Sequence, residues 1–253
     1  MVIRLDSLTK RFGAFTAVDG VSLEVKEGEV CGLIGANGAG KTTLIRMICG
    51  ILRPTRGEGS VLGYDIVKER DAIRHRIGYM SQKFSLYSDM TVEENLRFFA
   101  GLYPVKGSSA DRVEELLERF DLEEMKKQRV ENLAGGWRQR VAFASSMIHS
   151  PSLLILDEPT SGVDPVTRRS FWDLLYGLAE EGTTVLVTTH YMSEAEQCDR
   201  VAMLNRGRLV AEGTVPDLRN RFAEILHTPR PTLEGIFIHT TGEGSADDNR
   251  ARG

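Results

Sequence analysis

The spacing of apolar and polar positions changes along the chain, and each change marks an element. Residues 1–10 alternate apolar and polar, and so does Val21-Ser22-Leu23-Glu24-Val25, so both predict strands with one buried face. Glu27-Gly28-Glu29 predicts a turn. Residues 30–34 are then apolar without interruption, the pattern of a strand buried on both faces of a parallel sheet. A Gly-rich loop follows at 35–40, then a helix over 41–52. Residues 53–65, with Pro54, Gly57, Gly59 and Gly63, read as turns, and 77–81 as a short strand.

From Thr91 the period becomes helical. Thr91 and Glu94 have the spacing of a capping box, and Val113, Leu116, Leu117 and Phe120 share one helical face. A further helix is expected over 138–149. The segment of about 83–150 therefore reads as a helical subdomain inserted into an α/β core. The core resumes with a buried strand at 153–156 that ends in Asp157-Glu158. Asp164-Pro165 is a helix start, residues 183–189 predict a strand, and Ser193 with Glu196 has capping-box spacing. Residues 200–212 predict a hairpin turning at Asn205-Arg206-Gly207. The polar stretch 240–253 is expected to be a disordered tail after a single domain over 1–239.

Composition narrows the class. The 253 residues are 41% hydrophobic and 27% charged, which excludes a disordered or collagen-like chain. The net charge of -4 argues against a dedicated nucleic-acid binder, so no nucleic-acid partner is expected. No apolar run approaches the roughly 18 residues of a membrane span, and no secretory signal pattern opens the chain. Cys31, Cys49 and Cys198 lack the spacing of a disulfide framework or a zinc site, so a reducing cytoplasm is the expectation.

Gly35-Ala36-Asn37-Gly38-Ala39-Gly40-Lys41-Thr42 matches the P-loop pattern G-x-x-x-x-G-K-[ST], in the strand–loop–helix setting that the pattern requires. The glycines let backbone N–H groups converge on one anion, and the helix adds its positive N-terminal end. Lys41 would reach the β- and γ-phosphates, and Thr42 would hold Mg²⁺. Gly35, Asn37, Gly38, Ala39, Gly40, Lys41, Thr42 and Thr43 are thus candidate nucleotide-binding residues. Asp157, at the carboxyl end of a buried parallel strand, lies where open α/β sheets bind ligands. It can hold a Mg²⁺-bound water, and Glu158 can accept the proton of an attacking water.

In order and spacing these motifs resemble the ATPase subunits of ABC transporters over residues 1 to about 239. Gln82 resembles the Q-loop glutamine, a further Mg²⁺ contact. Ser161-Gly162-Val163-Asp164 resembles the D-loop, which places Asp164 at a dimer contact. His190 resembles the switch histidine, and Phe12 the aromatic that stacks on adenine. Glu158, His190 and Gln82 are the catalytic candidates that follow. The implied fold is a P-loop NTPase core with an N-terminal antiparallel β part and the inserted helical subdomain. The implied cofactors are ATP and Mg²⁺. The implied partners are a second ATPase subunit and a polytopic membrane subunit, at the cytoplasmic face of the membrane.

Leu133-Ala134-Gly135-Gly136-Trp137-Arg138-Gln139-Arg140 resembles the signature motif, by which each subunit touches the ATP of the other. Ala134 and Trp137 depart from it, because the family has Ser and Gln there. A hydrogen bond from that Ser to a charged phosphate oxygen would contribute about 1.5–3 kcal/mol. Gly135 and Gly136 keep their N–H groups. The exchange implies either an asymmetric pair completed by a second cassette or a homodimer with two weakened sites. Residues 77–102 and 231–243 resemble the drug- and lipid-exporting branch. Two other classes compete: a soluble ABC-type ATPase of translation or DNA repair, and a GTPase-type switch. The first has paired cassettes or a coiled-coil insertion, and the second an N-K-x-D motif, none of which is present.

Overall fold

The computed structural model describes residues 1–82 and 85–250, with side chains up to residue 242. Strand β1 (Ile3–Phe12) pairs antiparallel with β2 (Phe15–Val25) and with β4 (Arg56–Val61), and β5 (Tyr64–Asp65) closes this sheet in the order β2-β1-β4-β5. The stretch read as turns at 53–65 therefore carries two strands. Its glycines hid them: Gly57 and Gly59 sit where a Cβ would meet β1 backbone.

The central sheet runs β10-β9-β3-β8-β7-β6. Its strands are β3 (Val30–Ile34), β6 (Ile77–Met80), β7 (Leu153–Asp157), β8 (Thr184–Thr189), β9 (Arg200–Asn205) and β10 (Arg208–Thr214). All neighbours are parallel except β9 and β10, the expected hairpin. Alternate residues of these strands face two cores. Cys31, Leu33, Ile155 and Leu186 join the core beneath the small sheet and α1 (Lys41–Ile48). Ile34, Leu154, Leu156 and Val187 join the core shared with the other helices. Two-sided burial explains why these strands are apolar throughout.

Between β6 and β7 the described chain is helical, with α3 (Val92–Leu102), α4 (Ser109–Arg119) and α5 (Gly135–Ser146). Residues 83 and 84, at the start of the expected subdomain, lie outside the described residues. The Thr91–Glu94 capping box forms at α3. Helix α2 (Arg70–Arg74) precedes β6, and α6 (Pro165–Glu180) links β7 to β8.

Two further expectations need correction. The helix after β8, α7 (Met192–Ala195), starts before Ser193 and is capped at Tyr191 without a side-chain bond. Tyr191 N–H is instead taken by Thr189 Oγ1 at 3.0 Å. The second is the tail. After α8 (Val215–Ala223), α9 runs Leu233–Arg250, helical where the polar stretch from Thr240 predicted none. Its first turns anchor it, since Leu233 and Ile236 are fully buried and Thr240 Oγ1 bonds back to Ile236 O. Residues 251–253 lie outside the described residues.

Candidate active site

The carboxyl ends of β3, β7 and β8 converge on one cleft. The loop after β3 turns into α1 through Gly40, whose φ of 105° favours glycine and whose position would drive a Cβ into Ala17 O. Asn37, Gly38, Ala39, Gly40, Lys41, Thr42 and Thr43 line a cleft of about 370 Å³ together with Phe15, Ala17, Gln82 and Glu158. Lys41 is buried, and its Nζ donates to Gly35 O at 2.7 Å. The ammonium also lies 3.0 Å from Glu158 Oε1.

Glu158 is the meeting point. Its Oε2 accepts from Gln82 Nε2 at 3.1 Å and lies 3.4 Å from His190 Nδ1. That imidazole contact is close without hydrogen-bond geometry. Lys41, Gln82 and His190, spread over 149 positions of sequence, thus surround one carboxylate. The residue sits at φ 49°, in the left-handed region, and its N–H donates to Thr188 Oγ1 at 2.8 Å.

Asp157 is buried beside it. Its Oδ1 accepts from Thr188 Oγ1 at 2.8 Å and from Thr42 Oγ1 at 3.3 Å. Burial pushes the nearby Cys49 thiol and Tyr79 phenol up, and the Asp157 charge adds to both shifts. Among the described residues no cluster of three or more His, Cys, Asp or Glu could hold a metal. Thr42 and Asp157 supply two hard oxygens, which fits Mg²⁺, an ion usually held by one or two carboxylates plus phosphates and water.

Thr188 escaped the sequence reading. The signal for it was a threonine that follows the apolar centre Val185-Leu186-Val187 of β8 and stands at register with Asp157. Other expected residues stand apart from the cleft. The two-residue turn after β1 sets Phe12 directly opposite Phe15, and it is Phe15 that lines the cleft. Phe12 is 50% exposed, which excludes a core role, and the Lys10 ammonium lies 5.1 Å from its ring centroid. Ala134 is the N-cap residue of α5 and makes no cap bond, with Gly135 and Gly136 following in the helix. Gly135 lines a different cleft of about 400 Å³, with Arg138 and Ser161 to Val163. Asp164 caps α6, accepting from Val166 and Thr167 N–H, and the Thr167 hydroxyl bond foremost holds its carboxyl below the ordinary value. No helix of the described residues is long and apolar enough to cross a membrane.

Comparison with known proteins points to one family. A family model described as ABC transporter matches residues 18–161, and a model of an AAA domain matches residues 138–194. The "Probable multidrug ABC transporter ATP-binding protein YbhF" of Escherichia coli (strain K12) is 48% identical over 238 residues, 94% of this chain and 41% of that protein. The chain therefore spans less than half the length of that relative. The "Daunorubicin/doxorubicin resistance ATP-binding protein DrrA" of Streptomyces peucetius is 40% identical over 86% of this chain and 67% of its own length. Among solved structures, an ATP-binding subunit of an ABC transporter aligns with TM-score 0.85 and 30% identity, covering 95% of this chain and 100% of that one. A dimeric post-hydrolysis cassette bound to ADP and Pi aligns with TM-score 0.76 and 30% identity, covering 84% of this chain and 98% of that one.

Proposed function

The chain belongs to the ABC transporter family of ATP-binding cassettes, and from that premise we propose that it hydrolyses ATP and drives a separate membrane-spanning partner. The observation that carries the chemistry is the Glu158 carboxylate, held by Lys41 and Gln82 with the His190 ring beside it, at one end of the phosphate loop. Phosphates entering the loop compete with Glu158 for the Lys41 ammonium. Glu158 is then free to orient a water and take its proton. Lys41 and the loop amides position the phosphates, and His190 faces the terminal one. Thr42, Gln82 and a water on Asp157 would hold Mg²⁺, which when bound neutralises phosphate charge.

The working unit of this reading is a head-to-tail dimer, in which Ala134 to Gly136 and Asp164 of one subunit face the ATP of the other. Dimeric solved cassettes of similar fold support it. The names of the relatives, a multidrug transporter protein and a drug-resistance protein, support export of a drug-like molecule; a lipid-like cargo, a polytopic partner and a peripheral place on the cytoplasmic face belong to the same proposal. Affinity capture of the tagged chain from detergent-solubilised cells tests the partner. A polytopic membrane protein in stoichiometric amount is expected, whereas ribosomes or DNA-repair proteins in its place would contradict the reading.

A further inference from the structure

Glu194 takes no part in the chemistry above, yet it is a charged side chain only 1% exposed. A carboxylate at that depth is strongly unfavourable without partners. It has three. Oε1 accepts from Thr160 Oγ1 at 2.6 Å, Oε2 accepts from Thr189 Oγ1 at 2.6 Å, and Arg168 Nε lies 3.2 Å from Oε1. The last is an ion pair by distance, because the Nε–H makes no hydrogen bond.

The three partners come from three segments, each attached to the candidate site. Thr160 follows Glu158 by two residues. Thr189 immediately precedes His190. Arg168 lies in the first turns of α6, the helix capped by Asp164. Its guanidinium carbon also sits 4.4 Å from the Tyr191 ring centroid, and that ring stands 4.1 Å from the His190 ring. Thr189 Oγ1 accepts the Tyr191 N–H as well, so one hydroxyl ties Glu194 to the backbone beside His190. The Glu158 turn needs such restraint, because a non-glycine residue at φ 49° is held there by its surroundings.

We propose that Glu194 is a positioning residue for the hydrolysis. Through Thr160, Thr189 and Arg168 it locks the Glu158 turn, the His190 ring and the start of α6 into one unit, so that Glu158 and His190 keep a fixed separation. This role rests on the ATPase reading of the same site.

The test measures phosphate release, ATP affinity and melting temperature on the full chain carrying Glu194→Gln, Arg168→Ala or both. Glu194→Gln keeps the shape and removes the charge. It is expected to lower kcat by about 10- to 100-fold, the cost of a small misplacement, with the ATP dissociation constant within about threefold of wild type. The double variant should fall no further than the worse single one, because both break one unit. A folded Glu194→Gln variant with wild-type kcat overturns the proposal. So do losses that multiply in the double variant, or a loss confined to ATP affinity or melting temperature. If Glu194→Gln does not fold, Arg168→Ala and Thr189→Val carry the same comparison. A wild-type chain that releases no phosphate overturns the ATPase reading and this role with it. Turnover by wild type and variants alike overturns the positioning role alone.

Discussion

Lys41 and Glu158 are each other's counter-ion at 3.0 Å, both almost wholly buried. Removing either leaves the other without its nearest opposite charge. ATP phosphates would take Lys41 over from that pair, so Lys41→Ala should fail at ATP binding, by about 2–5 kcal/mol, the usual cost of truncating one partner of a buried, hydrogen-bonded charge pair. Titration with ATP reads this directly, and unchanged affinity would contradict the phosphate-loop assignment. The adenine end is a second residue-scale question, because Phe12 and Phe15 face each other across a tight turn with both rings exposed. Phe12→Ala should weaken ATP binding by about 1–3 kcal/mol, by analogy with base–aromatic stacking. Melting temperature should hardly move, since the half-exposed ring supports no core. A loss confined to Phe15→Ala would shift the platform to the ring that lines the cleft. The phosphate loop, Asp157 and Glu158 were legible because their chemistry is carried by local patterns. Thr188 and Glu194 were not, because sheet register alone sets Thr188 beside Asp157, and only the packing of α6 and α7 against the turn after β7 brings Arg168 and Thr160 to Glu194.

At the scale of elements, α5 shows what its sequence left open. Gly136 is in close approach to α6, where an added Cβ would lie 2.8 Å from Thr167 Cγ2. The threonine cannot turn away freely, since its hydroxyl donates to Asp164 Oδ2 at 2.6 Å. Gly136→Ala should destabilise the fold by about 1–3 kcal/mol through overpacking, against a helix-propensity gain of about 1 kcal/mol. Thr167→Ser, which removes the offending methyl, should restore most of it in thermal unfolding. No rescue would place the strain elsewhere. The end of the same segment carries a pH dependence. Burial first, then the charges of Arg112 and His75, hold the His149 imidazole below its ordinary value of 6.5, while its bond to Ile77 O opposes them. The neutral ring is thus favoured by the fold. Its contribution is complete above pH 6.5 and is lost as pH falls through the lowered value. Melting temperature should drop over that acid range, and His149→Gln should make the drop shallower. Strand and helix types along the chain were readable from periodicity, whereas β4, with Gly57 and Gly59 packed on β1 backbone, presents no apolar alternation to read.

For the whole molecule, the departures at Ala134 and Trp137 decide what kind of dimer is proposed. Trp137 packs against the core and the Arg140 guanidinium lies 5.2 Å from its ring, so restoring Gln there would also cost burial. Ala134 is the cleaner probe, because its φ of -61° and ψ of 157° already suit a capping side chain. Ala134→Ser should stabilise the isolated chain by about 0.5–2 kcal/mol as a helix cap. In a homodimer it should also raise turnover and lower the concentration needed for dimerisation. No gain in turnover, with strong stimulation by a second cassette, would favour the asymmetric pair. The central claim, that Glu158 is the base of an ATPase built on this phosphate loop, meets its most direct test in one comparison. ATP binding and phosphate release are measured together, with Mg²⁺, on wild type and Glu158→Gln. The account predicts that both bind ATP, that wild type releases phosphate, and that the variant holds ATP and releases almost none. Phosphate release by the variant at the wild-type rate would contradict it.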